Sequence, residues 1–550
     1  MAQRLHKGGM MRPDLIIKNG NIYSLDAGNT RYRAMAVRDG RIVALGKNED
    51  MEPLEGAGVM VEDAEGRTIL PGFIDAHCHL LSLRGKQLLQ VDCSPGKVKN
   101  IDDIIRALER KAAETPPGQW VLGGSYDYSK LEEKRHPTRK DLDRASTEHP
   151  IHLRSQTCHS GVCNSKAFEI AGITKGTEDP PGGTFVRDES GAPAGLCLEE
   201  AHFLFVTGMG KEGSFVPPYT LEEEVKAVEL ACRETASFGI TSVGDALVGP
   251  PEIEAYQEAL NRGSLSTRVY MIVLDSYFPR LEATGIKTGF GNSMLKVGGI
   301  KSFVDGAIAA HTAWLSEPYG DGTVHGKNYY GIPTKTPEET EEFVRKVHGA
   351  GYQIEIHANG DNAIDMVLTA YEKTLRDFPR TDPRHRIAHC TVVTPELLER
   401  IKKLGVVALP FSTYVWEHGE KMAPYGERIE SMFAHRSFLD YGIPVGGSSD
   451  NPCGMQDVLT AIQAMVTRKS SEGLPIGLSQ RVSVAEALKI YTLGGAYASF
   501  EENEKGTLEP GKLADMVFLS KDPLSVPPEE IRNIEVEKTV LGGRTVFTRN

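Results

Sequence analysis

Short apolar runs alternate with longer amphipathic stretches through the middle of the chain. RVYMIVL at 268–274 is typical of the strand-like runs, and TPEETEEFVRKVHGAG at 336–351 of the helix-like stretches. Another helix-like stretch, 394–405, starts on a threonine and ends on a glycine, as capped helices do. The predicted strands are 68–79, 239–247, 268–274, 297–306, 352–360, 385–390, 405–412 and 443–450. Strands that alternate with helices pair in parallel, and eight such units predict an α/β fold with a closed (β/α)8 TIM barrel.

The two ends of the chain follow a different pattern. LIIKNGNIYSLD and AMAVRDGRIVALG place Asn-Gly and Asp-Gly turns between β-rich runs, and VEKTVLGGRTVFTR near the C-terminus has a Gly-Gly turn. These dipeptides are strong hairpin signals. We therefore expect a small composite β-sandwich domain formed from 13–68 and 503–550, beside a barrel that spans 69–502.

The first barrel unit is unusually long. Residues 81–235 follow the first predicted strand and contain their own helical pattern, NIDDIIRALERKAAE, as well as loops rich in glycine and proline. An insertion at this point would lie over the catalytic face, because the loops that follow barrel strands meet there. We interpret it as a cap that shapes the substrate site. Residues 1–12 precede the first β-rich run, and we expect them to be a disordered leader.

Composition excludes several classes of protein. The formal net charge is -13 and no basic block is present, which argues against nucleic-acid binding. No run of about 18 apolar residues indicates a membrane span. The eight cysteines are scattered and form no Cys-x-x-Cys pair. In a chain of this length we interpret them as reduced thiols, which predicts a cytoplasmic protein.

Histidine and aspartate side chains stand at the ends of several predicted strands. His77 and His79 are two residues apart in DAHCH, so their side chains project to the same face. His357 closes IEIHANG, His389 closes RIAHC and Asp450 closes VGGSSD. Barrel enzymes keep their chemistry at the carboxyl ends of the strands. One such residue would mean little, but the recurrence predicts a metal centre.

Lys301 adds a less usual candidate. In GGIKSFVDG it has the same parity as Asp305, so both side chains are expected to face the barrel interior. A buried lysine is unfavourable unless it is paired or modified. One interpretation is a salt bridge to Asp450 or Glu355. The other is a metal ligand, which requires carboxylation of the amine by CO2 because an ammonium group cannot ligate.

The motifs LPGFIDAHCHL, SSDNP and GTLEPGKLADMVFL, with the histidine-closed strands, resemble the amidohydrolase superfamily across nearly the whole chain. CHSGVCNSKAFEIAGI, KSFVDGAIAAHTAWLSEPY and HRIAHCTVV are similar to the amidohydrolase-3 group, which includes N-substituted formamide deformylases. The resemblance implies a metal-dependent hydrolase of a small-molecule amide. Barrel hydrolases of this kind often dimerise, so a homodimer is expected.

The resemblance also implies roles for individual residues. His77 and His79 would bind one metal together with Asp450, His357 and His389 would bind a second, and carboxylated Lys301 would bridge the two. Asp450 would also be the catalytic general base. Zinc is the expected metal for a site built from histidine and carboxylate with an open position. Members of the superfamily differ in metal number, so a single ion is the alternative.

The remaining candidate residues are expected either to contact the substrate or to support the metal site. The resemblance of the motif TCHSGVCNS implies that His159 lies near the substrate, and Asp305 and His311 flank the exit of the fourth strand and are candidates to orient it. Asp75, just before the paired histidines, is expected to support the site rather than react. Arg386 is opposite in parity to His389 and is expected to face the surrounding helices.

Three functions are compatible with these residues. The leading hypothesis is hydrolysis of the C–N bond of an amide, formamide or cyclic amide by metal-activated water. The second is deamination of an amino-heterocycle with one metal, held by His77, His79, His357 and Asp450. A scaffold protein that keeps the fold without catalysis is the third, but such a protein should have lost ligands, and here all six candidate positions carry competent residue types.

Overall fold

The computed structural model describes residues 12–156, 160–206, 213–320 and 328–549. The predicted leader lies almost wholly outside these residues, as does His159. The chain divides into two compact units. The first unit comprises 1–80, 232–249 and 259–550, and the second comprises 81–231 and 250–258.

The strands fall into groups along the chain. The N-terminal group is β1 Leu15–Lys18, β2 Asn21–Tyr23, β3 Arg31–Tyr32, β4 Ala34–Arg38, β5 Arg41–Gly46, β6 Met60–Asp63 and β7 Thr68–Pro71, and the first barrel strand is β8 Phe73–Cys78. The second unit contains β9 Val91–Asp92, β10 Val121–Tyr126, β11 Ile151–Ser155, β12 Ser160–Cys163, β13 Gly183–Arg187 and β14 Pro193–Glu199. The remaining strands are β15 Ile240–Val248, β16 Arg268–Leu274, β17 Leu295–Phe303, β18 Gln353–Ala358, β19 Arg386–His389, β20 Val407–Leu409, β21 Met516–Leu519, β22 Val536–Leu541 and β23 Arg544–Thr548.

The α-helices lie mostly between these strands. They are α1 Asn48–Met51, α2 Lys86–Leu88, α3 Ile101–Glu114, α4 Arg139–Asp143, α5 Ser165–Ala171, α6 Glu200–Phe203, α7 Leu221–Ser237, α8 Pro250–Asn261, α9 Phe278–Ala283, α10 Pro337–Gly349, α11 Asp361–Asp377, α12 Pro395–Leu404, α13 Tyr414–His418, α14 His435–Tyr441, α15 Val458–Thr467, α16 Val484–Lys489 and α17 Gly495–Ala498. No helix among the described residues is both long and apolar enough to cross a membrane.

The predicted barrel is confirmed as a parallel sheet of seven strands, in the order β20-β19-β18-β17-β16-β15-β8. Every residue of β8, β15 and β16 is buried, as expected for strands covered on both faces. The register pairs Lys301 with Glu355, and Ala358 with His389. The carboxyl ends of the central strands therefore lie level with one another.

An extended segment completes the sheet in place of a regular eighth strand. Val445 and Ser448 form isolated parallel bridges to Ala408 and Phe411. On its other side, the backbone N–H of Ala76 donates to the carbonyl of Gly447 at 2.8 Å. The predicted strand 443–450 thus occupies the closing position between β20 and β8, but as bridges rather than a continuous ladder.

The predicted strand 68–79 is in fact two strands that serve different sheets. β7 pairs with β2 and β21, whereas β8 begins the barrel. Gly72 separates them at a crowded point, because a Cβ atom there would lie 2.3 Å from the Thr241 hydroxyl oxygen. The pattern of apolar and polar residues does not reveal this division, because every residue of both strands is buried.

Both ends of the chain contribute to one sheet beside the barrel. This six-stranded sheet has the order β23-β22-β21-β7-β2-β3, and a second sheet of four strands has the order β5-β4-β1-β6. Ile17, Ile69, Met516 and Phe518 are members of one buried apolar cluster. The predicted boundaries 13–68, 69–502 and 503–550 stay predictions, because the division by compactness keeps the barrel and these sheets in a single unit.

The second unit has its own core. Its sheet has the order β13-β14-β12-β11-β10-β9. Ile104 and Leu108 on α3 belong to the same buried cluster as Val121 and Leu153 on the sheet. The compact unit covers most of the predicted insertion 81–235, and its role as a cap stays a prediction.

Candidate metal centre

The ends of the barrel strands bring the predicted ligands together. One oxygen of Asp450, Oδ1, lies 3.0 Å from Nε2 of His77 and 3.0 Å from Nε2 of His79. The rings of His77 and His389 are 5.3 Å apart, and those of His389 and His357 are 4.5 Å apart. Among the described residues, His77, His389 and Asp450 offer ligand atoms that all lie within 4.8 Å of one another. Four imidazoles and a carboxylate therefore converge on one small volume.

Hydrogen bonds to the far nitrogens fix the histidine tautomers. Nδ1 of His77 lies 2.7 Å from Oε1 of Glu355, and Nδ1 of His79 lies 3.2 Å from the carbonyl oxygen of Ala246. Because both partners are acceptors, each Nδ1 must carry the proton. Each Nε2 is then left with the lone pair that a metal requires, and this is the nitrogen that faces Asp450.

His357 is held in a different way. Its Nε2 lies 3.0 Å from the carbonyl oxygen of Gly306 and 3.1 Å from Nδ2 of Asn359. Donation to the carbonyl would leave Nδ1 as the lone-pair nitrogen. Burial, together with the charge of Lys301, lowers the pKa of His357 to about 3, so the ring is neutral, as a metal ligand must be.

Glu355 connects His77 to a buried arginine. The other carboxylate oxygen of Glu355 accepts a hydrogen bond from Nη1 of Arg386 at 3.2 Å. Burial alone would raise the pKa of Glu355, but His77, Lys301 and Arg386 outweigh it and lower the pKa to about 2. Glu355 is thus an ionised acceptor that orients His77. The sequence carries a signal for this contact, since Glu355 has the same parity as His357 and therefore faces the same side of β18.

The orientation predicted for Arg386 is wrong. Its side chain is fully buried, donates to Glu355 and to the carbonyl of Ala498, and lies over the ring of Tyr270. The parity argument assumed a regular strand as far as His389, but His389 and Cys390 have φ angles of 73° and 43°. This left-handed backbone interrupts the alternation of faces.

Lys301 is fully buried beside the histidines. Its Nζ lies 3.6 Å from Oε1 of Glu355 and has no hydrogen-bond partner among the described residues. Burial lowers the pKa of Lys301, and Glu355 and Asp450 only partly oppose this. A lowered pKa favours the neutral amine, which is the form that reacts with CO2. Both interpretations from the sequence therefore remain open, since the amine has an acidic neighbour but an unsatisfied donor.

The residues present fit a bound divalent metal. Besides the amine of Lys301, Nδ1 of His389 is buried with no hydrogen-bond partner in the part of the chain that is described. Burial would raise the pKa of Asp450, but His389, His77 and His79 together hold it well below its usual range. Imidazoles around an ionised carboxylate are a donor set that zinc and similar cations bind.

The segment that carries Asp450 is anchored by a second buried aspartate. Asp75 accepts hydrogen bonds from the backbone N–H of Ser449 at 3.1 Å, from the Ser449 hydroxyl at 2.6 Å and from Nε2 of Gln456 at 3.2 Å. Asp75 thus agrees with the supporting role expected from the sequence. It holds the residue immediately before Asp450, which itself has a left-handed φ of 57°.

The residues predicted to contact the substrate are Asp305, His311 and His159, and the described side-chain hydrogen bonds of the first two are with backbone groups. Asp305 is buried, and its carboxylate accepts hydrogen bonds from the backbone N–H groups of Trp314, Asn359 and Gly360. His311 is partly exposed, and its Nε2 lies 2.8 Å from the carbonyl oxygen of Lys421. Asp305 therefore organises the loop that follows β18. Contact of Asp305 or His311 with a substrate stays a prediction, and His159 lies outside the described residues.

The sequence is similar to known proteins over nearly its whole length. The sequence model of the amidohydrolase family matches residues 60–547. The chain is 32% identical to the N-substituted formamide deformylase of Arthrobacter pascens, over 98% of each chain. It is 30% identical to the putative amidohydrolase YtcJ of Bacillus subtilis, over 96% of this chain and 99% of the relative.

Solved structures share the fold. An uncharacterised metal-dependent hydrolase from Pyrococcus furiosus matches with a TM-score of 0.76 and 26% identity, over 93% of this chain and 100% of that one. The atrazine chlorohydrolase TrzN from Arthrobacter aurescens TC1, solved in complex with zinc, matches with a TM-score of 0.53 and 14% identity, over 96% of this chain and 94% of that one. The second likeness bears on the fold alone.

Proposed function

Because this chain belongs to the amidohydrolase family, we propose that it hydrolyses the C–N bond of small N-substituted formamides or related amides. The observation that carries the proposal is the convergence of His77, His79 and His389 on the ionised carboxylate of Asp450, at the strand ends where barrel enzymes react. The choice of substrate class is supported by the formamide deformylase, to which the chain is similar over nearly its whole length.

The proposed centre would hold two zinc ions. His77 and His79 would hold one ion together with Asp450, His357 and His389 would hold the other, and carboxylated Lys301 would be a ligand shared by both. Such ions supply a Lewis acid that lowers the pKa of a water molecule and polarises the substrate carbonyl. The buried, unpaired amine of Lys301 supports its modification.

The side chains of the centre divide the remaining work. Asp450 accepts a proton from the attacking water at its carboxylate and then delivers it to the nitrogen of the departing amine. Glu355 keeps the proton of His77 on Nδ1, so that Nε2 remains available as a ligand. The products are formate and an amine when the substrate is a formamide.

Hydrolysis is tested with N-butylformamide and the zinc-loaded full-length protein. We expect formate and butylamine, both measured by proton NMR, and a loss of kcat of at least 100-fold in Asp450→Asn. Asp440→Asn is the matched control, since this exposed helix residue pairs only with Arg436 among the described residues. Undiminished hydrolysis by Asp450→Asn would contradict the role given to this residue.

Metal number is tested on protein purified without chelator, with wild type and Lys301→Ala measured side by side. We expect about two zinc ions per chain in the wild type and one or none in Lys301→Ala, because the bridge is lost. Lys346→Ala, on the surface helix α10, should retain both ions. One ion in all three proteins would make Lys301 structural and favour the mononuclear deaminase, which releases ammonia from an amino-heterocycle.

Two further proposals concern the cellular location and the oligomeric state of the enzyme. The described cysteines are free thiols, which is compatible with the cytoplasmic location that we propose. A homodimer is proposed as the working assembly.

A further inference from the structure

The second unit contains a small polar cavity that the proposed chemistry does not use. Its volume is about 30 Å³, and its lining includes Lys86, Gln90, Arg154 and Tyr219 as well as apolar side chains such as Phe205. A water molecule needs roughly 10–15 Å³ of such space, so the cavity has room for a group of two or three heavy atoms. None of these residues belongs to the proposed metal centre.

Arg154, on β11, is the unusual member of this lining. Its side chain is buried, with 6% of the residue exposed. Both Nε and Nη2 are shielded from solvent and have no hydrogen-bond partner among the described residues. A guanidinium group is always charged in proteins, and a buried charge without a partner is strongly unfavourable. The cavity is therefore built around an unsatisfied cation.

The two unpaired nitrogens lie on the same edge of the guanidinium plane. Their N–H bonds point in parallel, and this pair of donors matches the two oxygens of a carboxylate. A water molecule or a carbonyl oxygen could also accept from these nitrogens, but neither would neutralise the charge. A planar carboxylate would satisfy both nitrogens and neutralise the charge.

The nearest acids do not pair with Arg154. Nζ of Lys86 lies 2.5 Å from Oε1 of Glu252 and 3.1 Å from Oε1 of Glu224, so both acids face another cation, and neither accepts a hydrogen bond from Nε or Nη2 of Arg154. His152 also lines the cavity, and burial, with the charges of His202 and Arg154, holds the pKa of His152 well below its usual range. A neutral imidazole supplies no negative charge.

Gln90 provides a second polar contact. Its Nε2 donates to the Tyr219 hydroxyl at 3.3 Å, while its Oε1 is buried with no partner among the residues described. The two ends of the amide are interchangeable at this contact, because the hydroxyl of Tyr219 can donate as well as accept. Gln90 can therefore offer either end of its amide to a ligand held by Arg154.

We propose that this cavity binds the carboxylate group of a small organic acid, with Nε and Nη2 of Arg154 donating to its two oxygens and Gln90 contacting the atoms beside them. A carboxylate group has three heavy atoms and fits the volume of the cavity, and apolar side chains such as Phe205 line the rest of it. The site shares no residue with the proposed metal centre.

Binding is tested by calorimetric titration of the metal-loaded full-length protein with sodium acetate at constant ionic strength. We expect a saturable component whose Kd rises at least tenfold in Arg154→Met, because the paired donors are lost. Arg144→Met is the matched control, since Arg144 belongs to the same unit but is 58% exposed at its side chain and pairs with Asp102 at the surface. Any acetate that binds at the metal centre would bind equally in every variant. The heat of that binding is therefore subtracted from each titration.

Two further variants keep the test independent of folding. Arg154→Lys preserves the charge but not the parallel donors, and Gln90→Leu removes the second contact, so both should also weaken the acetate component. Removal of an unsatisfied buried charge should leave Arg154→Met melting no lower than the wild type in acetate-free buffer. An acetate Kd unchanged within twofold in Arg154→Met or Arg154→Lys would overturn the proposal.

Discussion

At the scale of single residues, the candidate centre depends on acceptors placed behind the ligands. Behind the proposed ligand atoms, Nδ1 of His77 faces Glu355, Nδ1 of His79 faces the carbonyl of Ala246, and Nε2 of His357 faces the carbonyl of Gly306. When a metal occupies the other nitrogen, this arrangement fixes the tautomer of each ring. Glu355 differs from the two carbonyls because it is charged, and it is held by Arg386 as well as by His77.

The first prediction at this scale concerns Glu355→Gln. The glutamine can still accept the hydrogen bond from His77, but it removes the negative charge that makes His77 a stronger ligand. We expect metal affinity to fall by about 10- to 100-fold, measured by zinc competition with a chelating dye. Glu372→Gln, at a half-exposed ion pair with Arg400 on the helical surface, should bind zinc like the wild type. Equal affinity in both variants would mean that the orientation of His77 does not depend on this charge.

At the scale of secondary structure, the closing segment between β20 and β8 is the element that positions Asp450. It forms isolated bridges on one side and backbone hydrogen bonds on the other. Gly447 lies close to a buried aromatic ring, and a Cβ atom there would lie 2.6 Å from Cδ2 of Tyr491. Real Cβ atoms do not tolerate such a distance, so either the segment or the ring would have to move.

We therefore expect Gly447→Ala to displace Asp450 from the histidines. The zinc content of the purified protein should fall, and kcat for N-butylformamide should fall with it by at least tenfold. Gly349→Ala is the control, because a Cβ atom at this position in α10 has open space around it. Normal zinc content and activity in Gly447→Ala would show that Tyr491 moves aside without disturbing the segment.

At the scale of the whole molecule, the first unit is held together by buried polar contacts as well as by its apolar cores. Arg268 on β16 forms a two-point ion pair with Asp515, just before β21, at 2.7 and 2.8 Å. This pair joins the barrel to the sheet built from both ends of the chain. Several histidines are also buried in their neutral form, and these make the stability of the fold dependent on pH.

His435 gives the clearest case. Burial, together with the charge of Arg468, lowers the pKa of His435 to about 3, although its hydrogen bond to the carbonyl of Phe433 opposes this. Since the unfolded chain binds the proton near pH 6.5, stability from this group is complete above pH 6.5 and is lost as pH falls toward 3. Between pH 7.5 and 5 the expected loss in the free energy of unfolding is about 2 kcal/mol.

Urea unfolding of the wild type and His435→Gln at pH 7.5 and pH 5 checks this expectation. Other titrating groups are common to both proteins, so the difference between their pH dependences isolates His435. The free energy of unfolding of the variant should fall by about 2 kcal/mol less than that of the wild type. Parallel losses in the two proteins would mean that His435 is not held neutral.

The sequence by itself determined the class of fold and most of the proposed ligands. Helix and strand periodicities are local, so α10 and α12 lie within a few residues of the predicted ranges 336–351 and 394–405. The side chains expected at strand ends come together because parallel strands point their carboxyl ends to the same face, and this follows from the order of elements alone. His77, His389 and Asp450 could therefore be placed together without coordinates.

Only the tertiary structure decided what supports these residues. The division of 68–79 into β7 and β8, the irregular closing segment and the inward position of Arg386 depend on contacts between residues far apart in sequence. The same holds for the pairing of Glu355 with His77 and for the unsatisfied edge of Arg154. Periodicity reports which side of an element is buried, whereas the partner found there is set by how the elements pack.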